Sequence, residues 1–382
     1  MTSPRLLSLD AFRGATIVAM ILVNNPGTWG ALYAPLGHAE WHGWTPTDLI
    51  FPFFLFIMGT ALAYSLRKYR EGAAIDPAVY RRIARRTLLL VGLGLGMGLF
   101  GKLCDVIFIS RDPSGLQLDT LRWPGVLQRI GLVYCAASLA VLHADLKKQL
   151  VIAAAILLGY WGLLANLPAD ANPGERLGKT DNLVRAVDVA VLGKNHMWTQ
   201  ATTEPTDPEG LLSTLPAVVT ALAGYWCGLA IQRGGANWRT VALMVVCGLL
   251  VAALGEVWGL WLPINKKLWT SSFVLLTGGL ATACLGACLA AFDVAGFRRG
   301  ARPLEIVGVN AIFAFVGSGL LARLLGTIRV GEGSLQQAIY QTLFASRIAD
   351  PRLASLGFAL LTVAFWWIVL ALMARRGWSI RV

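Results

Sequence analysis

Two histidines, two carboxylates and two asparagine amides crowd between Asn24 and Asp48. The chain holds only four histidines, and His38 and His42 both fall here. A neutral imidazole accepts a proton near neutral pH. A carboxylate such as Asp48 can orient that ring, and an amide such as Asn24 can donate to a developing oxyanion. Trp41 and Trp44 in the same stretch are able to stack on a sugar ring. Two other chemistries fit part of the pattern. His38-x-Glu40-x-His42 offers two imidazoles to a metal, but it is not H-E-x-x-H and shows no third ligand. An interfacial belt explains the aromatics, Trp29 and Tyr33 included, but neither the histidines nor Asp48. The residues alone leave all three open.

The elements that must carry this stretch follow from composition. Of 382 residues, 56% are hydrophobic and 14% charged, where a soluble domain has roughly 25% charged residues. That excludes a soluble enzyme, a disordered chain and a disulfide-stapled domain, and it predicts an all-α polytopic membrane protein. The net charge of +12 reads as loop charge that sets topology, with membrane lipid as the partner and no nucleic acid. The six cysteines mostly lie in apolar runs without a CxxC pair and read as packing residues. No metal is expected. Met1–Arg5 shows no pattern of a cleavable leader.

A span needs about 20 mostly apolar residues. Ten runs qualify: 9–25, 48–66, 86–101, 123–142, 150–167, 211–232, 240–261, 268–292, 306–322 and 353–374, of which the third and ninth are short. Basic residues recur at every second connection: Arg67 to Arg86, Lys147-Lys148, Arg233 with Arg239, Arg298 to Arg302, and Arg375, Arg376 and Arg381 at the C-terminus. Positive loops stay cytoplasmic, so both termini are placed inside, with 26–47 and the long loop 168–210 outside. Lys266 and Lys267, in an outer loop, are the exception. Gly92, Gly94, Gly96 and Gly98 sit in an apolar run and predict close helix packing, not a phosphate loop.

Ionisable groups within spans are few, and each is a functional hypothesis by default. Asp10 and Arg13 share a helix face at i,i+3, where a local ion pair is the plain alternative. Arg129 lies one turn inside Trp123-Pro124-Gly125, Glu256 near an outer end, and Asn310 early in the ninth span. Any of these could simply join helices by hydrogen bonding.

The stretches Arg5–Gly14, Val23-Asn24, His38–Gly43 and Asp48–Phe54 together resemble the heparan-α-glucosaminide N-acetyltransferase family, in a shorter bacterial-type form. The resemblance continues at Pro124–Arg129, Leu192–His196, Asp207–Leu211, Pro263–Trp269 and Gly308–Asn310. It implies one transmembrane acyltransferase domain over 1–382, beginning at the membrane core without the lumenal domain of the animal enzymes. The implied activity moves an acetyl group from cytoplasmic acetyl-CoA, a co-substrate, to the amine of a glucosamine-type sugar outside. By position in the motif, His38 matches the catalytic histidine, with Asn24 and Asp48 beside it. Arg129, Arg81, Arg82, Arg85, Arg86 and Asn310 are the candidates for acetyl-CoA, and Trp41, Trp44 and Glu209 for the acceptor. A homodimer in a bacterial inner membrane is expected. The competing reading is an inner-membrane transporter of amino sugars or N-acetylated sugars.

Overall fold

In a computed structural model of the protein, residues 6–112, 116–168, 175–198 and 204–380 are described. Arg5 and Arg381 of the sequence argument, and parts of the loop 168–210, lie outside them. The long helices are α1 (Leu7–Asn24), α2 (Ile50–Ser65), α3 (Pro77–Asp105), α4 (Val126–His143), α5 (Leu146–Asn166), α6 (Leu183–Leu192), α7 (Thr214–Gly234), α8 (Trp238–Trp258), α9 (Ser271–Cys288), α10 (Arg298–Val309), α11 (Ala311–Thr327) and α12 (Pro351–Arg375). Among the described residues, nine helices are long and apolar enough to cross a membrane, or ten if α10 and α11 are one broken span. The only described strands are a two-residue pair, Arg329–Val330 with Gly333–Ser334.

Two spans depart from the sequence reading. The third is longer than expected, a helical run from Pro77 to Ser110. Arg81, Arg82, Arg85 and Arg86 therefore occupy the first turns of α3, where Asp76 caps the helix by accepting from the Ala78 N–H at 2.8 Å, and do not belong to a loop. The ninth is bent by 66° at Asn310, between α10 and α11. The glycine run packs on one face only. A Cβ at Gly94 would meet the Gln128 side chain at 2.1 Å, while Gly92 and Gly96 face open space. Cys247 and Cys284 are exposed, and the other four cysteines are buried or half-buried.

Both ends of the bundle are tied by polar contacts. At one end Asp293 accepts from the Leu7 and Ser8 N–H groups at 3.2 and 2.8 Å, satisfying donors that the start of α1 would otherwise leave free. Asn310 sits at that same end and holds the C-terminal tail through the Trp378 carbonyl (3.3 Å) and the Ile380 N–H (2.8 Å). Asp10 and Arg13 form their local pair here at 2.9 Å. At the opposite end the loop after α1 meets the loop before α9, where the Gly43 N–H donates to the Ile264 carbonyl at 2.8 Å. Residues 168–210 form more than a loop, since they contain α6 and a turn at Lys194–His196.

The centre of the bundle is α2 against α7. A Cβ on Gly224 would lie 1.9 Å from the Phe56 carbonyl oxygen, so the two backbones touch where no side chain fits. Gly224→Ala is expected to force α2 and α7 apart and cost about 1–3 kcal/mol. It should show as a lowered thermal midpoint in detergent, with Gly92→Ala, in open space within a helix, as a control that does not lower it.

Candidate active site

α1 ends at Asn24, and the chain turns at Asn25-Pro26-Gly27 into the loop that carries His38. Thr45-Pro46 then starts the next helix through a short turn, Pro46–Leu49, that runs into α2. Asp48 sits in that turn and is almost fully buried. Its Oδ2 accepts from the backbone N–H groups of Ala39 and Thr45, both at 3.0 Å. Its Oδ1 lies 2.7 Å from His38 Nδ1. A carboxylate only accepts, so this contact calls for the proton on Nδ1 and, in a neutral ring, leaves the lone pair on Nε2. His38 itself remains about half exposed, at 47% of its side chain. One carboxylate thus shapes the loop, starts the helix and selects the tautomer.

The two lysines that broke the charge pattern are both engaged at this end. Lys266 Nζ lies 3.1 Å from His38 Nδ1 and 3.4 Å from Asp48 Oδ1. Burial lowers the pKa of Lys266, and the neighbouring Asp48 charge opposes that. Lys267 donates to the Glu40 carbonyl at 3.0 Å and sits 5.4 Å from the Trp41 ring centroid. Glu40 pairs with Lys179 at 2.8 Å, which lowers its pKa, while burial lowers that of His42. Asn265 holds the lysine loop in shape, accepting from the Leu268 N–H at 2.9 Å while its own N–H donates to Thr270 Oγ1 at 3.0 Å.

A second polar cluster closes the same end. Arg122 grips Asp207 with two bonds of 2.8 and 2.6 Å and reaches Glu209 at 2.5 Å. Burial disfavours the Arg122 charge, but the two carboxylates outweigh it and raise its pKa. Arg129, one turn into α4, donates to the Gly210 carbonyl at 2.9 Å and to Ser213 Oγ. Asp188 on α6 accepts from the Leu211 N–H at 2.8 Å, and a Cβ on Gly210 would lie 1.7 Å from its Oδ2. Burial pushes the Asp188 carboxyl up to about 6.

From this end a cavity of about 600 Å³ runs toward the Arg13 end. One face of α1 lines its whole length: Asp10, Arg13, Ile17, Met20, Val23 and Asn24. His38, Lys266 and Glu209 line it at one end, while Asp10, Arg13, Gly308 and Ile380 line it at the other. Arg86 also reaches it, with its guanidinium 4.6 Å from the Tyr134 ring centroid. Between them the walls are apolar, with Phe54, Ile57 and Phe315 among them.

Residues 5–255 match the catalytic family of heparan-alpha-glucosaminide N-acetyltransferase. The chain belongs to this family. Over 363 residues it is 28% identical to the heparan-alpha-glucosaminide N-acetyltransferase of Homo sapiens, covering 82% of this chain and 52% of the human protein. The Mus musculus protein of the same name is 28% identical over 368 residues, covering 83% of this chain and 54% of its own length. The chain therefore spans about half the length of these relatives.

In this family member the cavity gathers six of the residues singled out from the sequence, Asp10, Arg13, Asn24, His38, Arg86 and Glu209, with Asp48 behind His38. It leaves others aside. Trp41 is buried, donates to the Leu177 carbonyl at 2.7 Å and packs with Tyr160, Leu164 and Leu268, so no ring face remains for a sugar. Trp44 donates to Glu256 at 2.7 Å and lies outside the cavity lining, as does Trp41. Arg81, Arg82 and Arg85 are exposed on α3 away from the cavity. Arg129 is sealed beneath Trp269, 5.1 Å from its ring centroid, and has no route to a cofactor. Asn310 is buried and spends its amide on the C-terminal tail. Lys266 and Arg122 were not among the sequence candidates. The signal for Lys266 was its charge in a loop that should lack cations. Arg129→Met is expected to lower the thermal midpoint, since it frees Gly210 and Ser213 from their donor. A midpoint equal to the wild type, read by scanning calorimetry in detergent, would contradict this.

Proposed function

We propose that the protein is a membrane acetyltransferase that takes acetyl-CoA at the Arg13 end and delivers acetyl at the His38 end to the amine of a glucosamine-type sugar. The observation that carries this reading is the single cavity along α1, with cations at one end and a carboxylate-oriented imidazole at the other. The family relatives, each named an N-acetyltransferase, support the same reaction. The charge pattern supports a sidedness in which the Arg13 end, with both termini, is cytoplasmic and the His38 end external, in a bacterial inner membrane.

Acetyl-CoA supplies the thioester. Arg13 and Arg86 offer positive charge to its phosphates from the cavity wall, and the apolar middle suits the pantetheine arm. Asn24, exposed to the cavity where α1 ends, donates to the carbonyl oxygen as it gains charge. The sugar amine attacks the thioester carbon, a C–N bond forms and the C–S bond breaks. His38 Nε2 takes the amine proton and returns a proton to the departing sulfur, so that CoA leaves as the thiol. Asp48 keeps Nδ1 protonated throughout. Glu209, at the same end and braced by Arg122, faces the acceptor.

Purified protein given acetyl-CoA and glucosamine is expected to yield N-acetylglucosamine by mass spectrometry. His38→Ala should lower turnover by about 10²–10⁴-fold, with acetyl-CoA affinity little changed. Near-normal turnover in His38→Ala removes the residue from the mechanism. Sugar uptake by vesicles without any acetylated product would instead favour the transporter. Lys266 offers a separate handle. Its ammonium lies 3.4 Å from Asp48 Oδ1 and helps hold the carboxylate that orients the ring. Lys266→Met is therefore expected to lower kcat/KM for acetyl transfer to glucosamine. A value equal to the wild type would detach Lys266 from the chemistry.

A further inference from the structure

A second concavity, of about 670 Å³, lies at the Arg13 end on the other side of the C-terminal tail from the reaction cavity. It exists because the ninth span breaks. At the 66° bend after Val309, α10 leaves the direction of α11, and a groove opens between α10 and the last turns of α12. The tail 377–380 forms the partition. Trp378 and Ser379 line the groove, Ile380 lines the reaction cavity, and Val309 lines both.

The lining has a distinct chemistry. Arg299 and Arg302, one turn apart on α10, share a face, and Arg375 ends α12 opposite them. Glu305 is the one carboxylate among the lining residues, and it is itself engaged. Trp367 and Trp378 flank the cations, 38% and 57% exposed. Trp367 is fixed in place by its indole N–H, which donates to the Pro303 carbonyl at 3.2 Å. Below the arginines the wall turns apolar, with Ile306 and Ala371, and α12 continues with Ile368 and Leu372 exposed on its outer face. Cations set above apolar wall, with indoles at the level between them, match a phosphodiester joined to acyl chains. A soluble anion would use the arginines but not the apolar floor.

We propose that this groove binds the headgroup phosphate of an anionic phospholipid, with Arg299, Arg302 and Arg375 as its donors and the acyl chains running down α12. This site is separate from the reaction cavity and does not depend on the proposed acetyl transfer. The full chain, purified in detergent and titrated with phosphatidylglycerol, should retain one such lipid in native mass spectrometry and retain phosphatidylcholine far less. Substituting all three arginines by glutamine should weaken phosphatidylglycerol retention by more than about tenfold, and Arg302→Gln alone by about fivefold. Arg302 is exposed on α10, so the single variant keeps the test open if the triple variant fails to fold. Undiminished retention in a folded variant would overturn the proposal. So would displacement of the lipid by adenosine 3′,5′-bisphosphate, which would assign these arginines to a soluble nucleotide.

Discussion

The His38 end of this molecule is organised by one buried carboxylate. Asp48 has almost no contact with solvent, and an ionised group in that position is tolerable only if hydrogen bonds replace the lost water. It draws those bonds from the Ala39 and Thr45 backbone, from His38, and from Lys266 of a distant loop. Each partner is thereby placed. The loop after α1 is folded over the helix start, the imidazole is turned to one tautomer, and the loop before α9 is pulled across the cavity mouth. Remote packing serves the same point, because α2 can bring Asp48 to this position only while its backbone rests directly on α7 at Gly224.

A second constraint acts on Glu209. The Asp207–Gly210 segment follows a long connection, yet it is held from three directions: by Arg122, by Arg129 and by Asp188. Gly210 has no room for a side chain against Asp188, so the turn that presents Glu209 has one backbone path. Arginine suits both clamping roles because its planar, always charged head satisfies several acceptors at once. The clamp leaves Arg129 with two buried nitrogens unpaired among the described residues. Such an arrangement favours position over stability.

What the sequence disclosed, and what it withheld, follows the range of the interactions. Spans and their number were legible because bilayer thickness acts on each segment separately. His38 and Asp48 were legible as neighbours because Thr45-Pro46 announces a helix start only a few residues beyond the histidine. Lys266 is 228 positions from His38, and only tertiary structure brings it there. Trp41 looked free to stack on a sugar because its sequence neighbours are polar, but its covering partners Tyr160 and Leu164 come from α5. Arg129 looked like a cofactor ligand because depth in a span can be counted from sequence, while the direction a side chain faces cannot. The α3 arginines were read as a loop because a basic, amphipathic helix start carries the same charge signal as a connection.

A cavity that follows α1 from Arg13 to Asn24 covers about 16 Å at 1.5 Å per residue. Set in a bilayer, such a passage is also a potential short circuit. Between Arg13 and Asn24, α1 offers Ile17, Met20 and Val23 to the cavity, faced by Phe54, Ile57 and Phe315. A sodium ion or hydronium entering this apolar middle would lose hydration against side chains that cannot replace it, and Arg86 on the wall repels any cation further. The lining that accommodates an uncharged arm therefore also insulates. The membrane can keep its electrical potential across a protein that is hollow through much of its thickness.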